Sequence, residues 1–141
     1  MNLIQDVNSL FDMFQMDVYP LIDMTPSQKE EALSQIQASP FDQFEEVCQG
    51  GIDKEYLKCL IFTLGVDHII LMRLKNLVLA MAILSEKKTA DSRKYMEIDI
   101  LCARKDTSMG KQMLLASENL SLRRGFTFSS LSSLPTAMGF Y

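Results

Sequence analysis

The first half of the chain spaces its apolar residues as a series of helices does. Over residues 2–17 they recur every three or four positions, which predicts one helix face that Pro20 ends. Thr25-Pro26-Ser27-Gln28 combines an N-cap, a first-turn proline and a capping-box Gln, and so predicts a helix to about Gln37. Two more helices are expected over residues 41–48 and 53–63. The one strand candidate here is the short segment Leu21-Ile22-Asp23-Met24.

From about Asp67 the pattern of apolar residues is that of strands and no longer that of helices. Apolar runs over residues 68–74 and 77–84, joined by Lys75-Asn76, predict an antiparallel hairpin. A polar loop over 85–93 leads to a strand at 94–103, a helix at 109–122 and a strand at 126–131, and Pro135 opens another helix. The strand at 94–103, the helix at 109–122 and the strand at 126–131 form a β-α-β unit, whose two strands lie parallel. The fold class is therefore α/β (α+β), a mixed sheet of antiparallel strands continuing into a β-α-β unit and preceded by helices.

Length and composition predict one globular domain over residues 1–141, with a helical part at 1–66 and a strand-rich core at 67–141. The chain has 141 residues and is 48% hydrophobic, which suffices for a sizeable core. No apolar run approaches the length of a membrane span, and the N-terminus lacks the pattern of a signal peptide. We therefore expect a cytoplasmic protein that does not bind membranes, with the nucleus left open as a location.

Cysteine and histidine usage narrows the chemistry. Cys48, Cys59 and Cys102 are odd in number and form no C-x-x-C pair, so the sequence predicts reduced thiols and neither a disulfide framework nor a zinc site. His68 is the only histidine, and we expect it to be an ordinary surface or capping residue at the start of a strand. Histidine-based catalysis is disfavoured, and no metal cofactor is expected.

Charge divides the chain into an acidic and a basic half. Residues 1–86 carry 5 Lys/Arg against 13 Asp/Glu, whereas residues 87–141 carry 9 against 5. The basic half suits a phosphate-bearing ligand, although scattered solvated lysines are the commoner meaning of such an excess. The net charge of −4 and the lack of aromatic-basic interleaving argue against a nucleic-acid partner.

The segment from Tyr95 to Leu115 carries the strongest functional signal. An apolar strand turns through a short polar loop containing Gly110 into a helix, so backbone N–H groups and the positive helix end converge on one point. Such an arrangement favours an anion. Because it lies at the carboxyl end of a strand in a β-α-β unit, it is also where open α/β sheets bind ligands.

This segment resembles the GNAT family of acetyl-coenzyme-A-dependent N-acetyltransferases, and the likeness extends over residues 67–141. In that family a hairpin leads to a strand and a Q/R-x-x-G-x-G/A loop, matched here by Lys105-Asp106-Thr107-Ser108-Met109-Gly110, with Ser108 in place of the first glycine. The family's A-x-x-F-Y pattern is matched by Ala137-Met138-Gly139-Phe140-Tyr141, and Leu134 stands where an Asn is common. The family continues past this pair with further strands, so we expect a truncated relative with a divergent helical N-terminal half.

The resemblance implies roles for particular residues. Glu97 and Asp99 match the strand that carries the catalytic base, and lining a solvated sheet face is an equal alternative for them. Tyr141 matches the tyrosine that protonates the departing thiolate. The residues implied in holding acetyl-CoA, or another acyl-CoA, are Leu101, Cys102 and Ala103 through their backbone, and Lys105, Asp106, Thr107, Ser108, Met109, Gly110 and Lys111 in the loop. The side chain of Cys102 is expected to be a small buried filler.

The sequence leaves two functions open for this protein. The first is an acyl-CoA-dependent N-acyltransferase that transfers an acyl group to an amine, for which the acidic half weakly favours a cationic acceptor. The second is a catalytically degenerate GNAT-fold module that senses coenzyme A or acts as a regulatory or interaction subunit. A homodimer that pairs or covers an exposed sheet edge is one form that the second function could take.

Overall fold

A computed structural model describes residues 14–38, 47–48, 52, 54–75, 77–105, 107–126 and 128–131. Five strands and three helices are defined within these ranges, together with one 3₁₀ turn. In chain order they are β1 (Phe14–Tyr19), the 3₁₀ turn (Leu21–Asp23), α1 (Pro26–Ala38), α2 (Lys54–Phe62), β2 (His68–Leu74), β3 (Leu77–Lys88), β4 (Lys94–Ala103), α3 (Met109–Arg123) and β5 (Phe128–Leu131).

The strands form one sheet in the order β1-β2-β3-β4-β5. Neighbouring strands from β1 to β4 run antiparallel, and β5 lies parallel to β4. The predicted hairpin, the β-α-β unit and the mixed α+β fold class are thus confirmed. β3 continues to Lys88, four residues into the segment predicted to be a loop. β1 and β5 are the outer strands of the described sheet, and the homodimer stays a prediction.

The sequence-based assignments on either side of Pro20 were wrong where the structure describes these segments. Residues 14–17 belong to β1 and not to a helix, and Leu21–Asp23 is a 3₁₀ turn and not a strand. Phe14, Met16 and Val18 alternate with polar Gln15 and Asp17, which is the strand period. Residues 14–19 adopt the extended conformation because all six pair with residues 69–74 of β2. The helical spacing of the residues before them does not reveal this pairing.

Two apolar layers cover the two faces of the sheet. On one face, alternate residues of β2 and β3 pack with Leu57, Ile61 and Ile36 of the helices α1 and α2. On the other face, the intervening residues of the same strands, with Met96 and Ile98 of β4, pack against α3 through Met113. Because β2 and β3 are buried on both faces, the side chains that point to either face are apolar. This explains the near-continuous apolar runs in the sequence.

The expectation of three reduced thiols is corrected by the fold. Cys48 and Cys102 form a disulfide across 54 positions of sequence, with their Cα atoms 5.0 Å apart, and Cys59 is the free cysteine. The odd number of cysteines and their spacing along the chain could not show this pairing, because Cys48 and Cys102 meet only when the N-terminal segment packs on the sheet. Cys48 and Cys102 are each 1% exposed, so the prediction that Cys102 is buried holds.

Some expected elements lie outside the described residues. These are the helix over residues 2–13, most of the helix over 41–48, and the segment from Pro135 to Tyr141. In the described part of the chain, the three helices are each too short, or too polar, to cross a lipid bilayer.

Candidate functional site

A β-bulge interrupts β4 at its centre. Ile83 of β3 pairs with Ile100, but the next residue, Leu84, pairs with Ile98, so Asp99 is the extra residue. The described pairing of β4 with β5 ends at this place, with Ile98 opposite Leu131. Bulges bend a strand and re-aim its side chains, and they are common beside active sites. The bulge thus divides β4 into a part paired on both sides and a part that leads to the α3 loop.

The two carboxylates proposed as base lie on one side of the sheet beside this bulge. Ser85 is the β3 partner of Glu97 and donates its hydroxyl to Asp99 Oδ2 at 2.6 Å. Lys87 Nζ lies 4.0 Å from Glu97 Oε2. Burial raises the pKa of Asp99, and the negative charges of Glu97 and Asp67 add to this increase, against the opposing effects of Ser85 and Lys87. The carboxylate of Asp99 is therefore more basic than that of a fully solvated aspartate.

At the end of β4 the side chains point into the two apolar layers. Leu101 and Ala103 are buried against the α3 layer, and Cys102 is buried in the opposite layer, where it is bonded to Cys48. Their side chains are thus part of the core. The prediction that these three residues meet the coenzyme through their main chain is compatible with this packing, since a ligand can pair with a strand as a further strand does.

The loop between β4 and α3 is held at both ends. Arg104 donates its backbone N–H to Leu79 O at 3.0 Å and its side-chain Nε–H to Val78 O at 2.7 Å, which fixes the loop to the start of β3. Thr107 Oγ1 donates to Arg104 O at 2.7 Å and accepts a longer bond of 3.4 Å from the Met109 N–H. These contacts set the direction in which the N-terminus of α3 points.

Ser108 occupies the position of the first glycine in the GNAT loop without strain. It is the N-cap of α3, with φ −86° and ψ 15°, a conformation open to any residue. Its hydroxyl makes no cap hydrogen bond to the helix. Lys105 and Lys111 are exposed on either side, and Gly110 is buried. Backbone N–H groups at a helix N-terminus, flanked by two cations, form a donor set that suits phosphate oxygens.

The remaining predicted site residues, Asp106 and Tyr141, lie outside the described residues. The structure therefore brings Glu97 and Asp99 together and places Lys105, Thr107, Ser108, Met109, Gly110 and Lys111 on one loop and first helical turn. Within the described ranges no group of three or more His, Cys, Asp or Glu side chains is arranged to hold a metal ion.

Sequence reasoning missed a charged network at the opposite end of the sheet. His68 is fully buried, not at the surface, and its Nε2 lies 2.6 Å from Glu86 Oε2. Arg124, just after α3, donates Nε–H to the same oxygen at 2.7 Å and lies 3.2 Å from Asp23 of the 3₁₀ turn. Asp67 accepts the backbone N–H of Glu86 at 2.6 Å. The alternation of side chains along β3 places Glu86 on the same face as Ala82 and Leu84, which pack against α3. This alternation was the one sign in the sequence that Glu86 faces α3.

Comparison with known proteins adds to this geometry at the level of the fold. No protein-family model and no curated protein matches the chain. Solved structures do match. A GNAT family acetyltransferase from Staphylococcus aureus aligns with 89% of this chain and 90% of its own, at 14% identity and a TM-score of 0.60.

Two aminoglycoside acetyltransferases match to a similar degree. One, from an uncultured soil metagenomic sample and solved with sisomicin, has 14% identity and a TM-score of 0.61 over 89% of this chain and 81% of its own. The other, solved with CoA, has 13% identity and a TM-score of 0.53 over 86% and 79%. The protein has the GNAT-type N-acetyltransferase fold, as the sequence resemblance predicted.

Proposed function

We propose that this protein is an acyl-CoA-dependent N-acyltransferase. The observation that carries the proposal is the sequence of features along β4: a half-buried Asp99 on a bulge, a strand end that offers its backbone, and a loop that opens α3 with its N–H groups. The fold supports the same conclusion, since solved structures that resemble it include named acetyltransferases.

The coenzyme-binding residues we propose match the chemistry of a nucleotide pyrophosphate. The N–H groups of the first turn of α3, with the cations of Lys105 and Lys111, would hold the phosphate oxygens. The main chain of residues 101–103 would pair with the amides of the pantetheine arm. Acetyl-CoA, or another acyl-CoA, would supply the activated acyl thioester. Asp106 belongs to this proposal through the loop motif alone.

Asp99 and Glu97 are the proposed proton acceptors. An amine attacks a carbonyl only when it is unprotonated, so a carboxylate that takes the ammonium proton, directly or through water, prepares the acceptor. Asp99 is better suited than a surface aspartate because its burial favours the protonated form. The Ser85 hydroxyl fixes the carboxylate orientation. Tyr141 is the proposed proton donor to the departing sulfur, on the motif match.

Calorimetric titration with acetyl-CoA and desulfo-coenzyme A tests the binding step. A ligand at about 100 times its Kd stabilises the protein by about 2.7 kcal/mol, which raises the thermal midpoint by several degrees. Absence of any binding at millimolar coenzyme would refute the proposal. Binding without thiol release across a panel of amines would instead establish the regulatory alternative.

Replacing Ser108 by Asp sharpens this test, since the change separates helix stability from phosphate binding. Asp is a favoured N-cap, so the free variant should be at least as stable as the wild type. The added anion faces the proposed phosphate position, and we expect coenzyme affinity to fall by tenfold or more, about 1.4 kcal/mol. Asn119→Asp adds the same charge at an exposed position farther along α3 and should leave affinity unchanged. Wild-type affinity in Ser108→Asp would place the coenzyme elsewhere.

A further inference from the structure

The disulfide reaches the functional segment of β4 from the opposite layer of the fold. Cys102 lies three residues after the bulge at Asp99 and directly before Ala103, the last residue of β4. Its side chain enters the apolar layer formed with α1 and α2, where Cys48 meets it. The bond thus ties a segment from the N-terminal half to the part of β4 whose main chain we assign to the coenzyme.

This cross-link acts on the backbone of β4 and not on the ligand itself. The neighbours of Cys102, Leu101 and Ala103, point to the α3 side, so the disulfide and α3 hold the strand from its two faces. Residues 99–103 are also the part of β4 that lies beyond its described pairing with β5. A covalent restraint at this place therefore limits the motion of the strand where a ligand would pair with it.

We propose that Cys48 and Cys102 form a reversible thiol–disulfide switch, whose oxidised form holds the end of β4 in the conformation that binds the coenzyme. The inference rests on the proposed function. Reduction would remove the covalent link between β4 and the N-terminal segment. The coenzyme would then have to order the end of β4 as it binds, which lowers its affinity. By linkage, coenzyme bound to β4 must in turn oppose reduction of the bond.

The redox step balances with a glutathione-type disulfide as oxidant. One cysteine thiolate attacks the oxidant, forming a mixed disulfide and releasing one thiolate. The second cysteine thiolate then attacks the protein sulfur of that mixed disulfide and releases the second thiolate. Two electrons and two protons leave the cysteine pair, and the oxidant becomes two thiols. Because both sulfurs are buried, exchange requires local opening, which is the step that bound coenzyme would slow.

The test compares the full chain in two redox states. Protein treated with glutathione disulfide and protein treated with a phosphine reductant are titrated with desulfo-coenzyme A, which has no thiol to exchange. Thiol counts after denaturation should be one and three respectively, because the chain has three cysteines. We expect the reduced form to bind about tenfold more weakly, within the usual range of coupling between sites. Saturating desulfo-coenzyme A should slow reduction by the phosphine.

Two variants complete the experiment. Cys48→Ala should bind like the reduced wild type and lose all response to redox treatment, whereas Cys59→Ala should retain the full response, since Cys59 is the free cysteine. Equal affinity of the two wild-type states, or three free thiols after oxidation, would overturn the switch while leaving the coenzyme site intact. Binding in neither state would overturn the coenzyme site as well. The wild-type comparison needs no substitution, so it stands even if a variant fails to fold.

Discussion

Asp99 is a carboxylate whose surroundings favour its protonated form. Its carboxylate is half-buried on a bulge, faces Glu97 and Asp67, and keeps Ser85 as its hydrogen-bond donor. Water would solvate the ionised form better than this site does, and so the pKa is raised.

The sign of this shift gives a prediction. A pKa above the unfolded value of about 3.9 means that the protonated carboxyl favours the folded state below that pH and that this contribution is lost as pH rises through the folded pKa. Asp99→Asn, whose amide oxygen can still accept from Ser85, should therefore raise the thermal midpoint at pH 7. The increase should vanish below a pH of about 3.9.

Asp91→Asn is the matched control with the opposite sign. Hydrogen bonds from Thr89 and Arg93 lower the pKa of Asp91, so its ionised form favours folding above the unfolded pKa. The substitution should lower the midpoint slightly at pH 7 and lose its effect in acid. Scanning calorimetry across pH checks both variants. A lower midpoint for Asp99→Asn at pH 7 would show that the carboxylate is a structural acceptor.

At the scale of elements, Glu86 joins segments that the sequence keeps far apart. Its carboxylate accepts hydrogen bonds from His68 of β2 and from Arg124 just after α3. Arg124 also forms an ion pair with Asp23. The network thus fixes α3 to the sheet at the end opposite the candidate coenzyme loop.

Glu86→Gln should weaken this connection. The amide oxygen can take the place of Glu86 Oε2 and still accept from both His68 and Arg124, but the negative charge that pairs with the Arg124 guanidinium is lost. Loss of a partly buried charged acceptor costs about 1–3 kcal/mol. Urea unfolding measures the change, and Glu118→Gln, an exposed position on α3, provides the control. Equal unfolding midpoints for the two variants would contradict a role for the network.

The elements that could be predicted are those whose own residues determine them. Alternating apolar residues gave β4 its bounds, and capping signals gave α1 and α3 to within two residues. β1 was missed because its period-two pattern follows helical spacing and is decided by pairing with β2. The bulge at Asp99 was missed for the same reason, since a register shift depends on the partner strand.

At the scale of the whole molecule, the site depends on contacts that no local pattern contains. The loop motif from Lys105 to Lys111 was legible because its residues are contiguous. The network around Glu86 and the bond between Cys48 and Cys102 were not, because each joins residues brought together by the complete fold. The likeness to GNAT structures at 10–16% identity has the same origin, since the spatial arrangement is kept where the sequence is not.

The long span of the disulfide gives the last prediction, on the stability of the entire chain. A cross-link across 54 positions removes conformational freedom mainly from the unfolded state, which the loop-closure relation puts at about 4 kcal/mol. For a chain of 141 residues this corresponds to a fall of about 10–15 °C in the thermal midpoint on reduction.

Scanning calorimetry of the ligand-free protein, with and without a phosphine reductant, measures this fall separately from coenzyme affinity. Cys48→Ala should melt near the reduced wild type with or without reductant, and Cys59→Ala should show the full fall. An unchanged wild-type midpoint would mean that the bond does not constrain the unfolded chain. A fall in midpoint with unchanged coenzyme affinity would instead assign the bond to stability alone, because a constraint on the unfolded state leaves the folded binding site as it was.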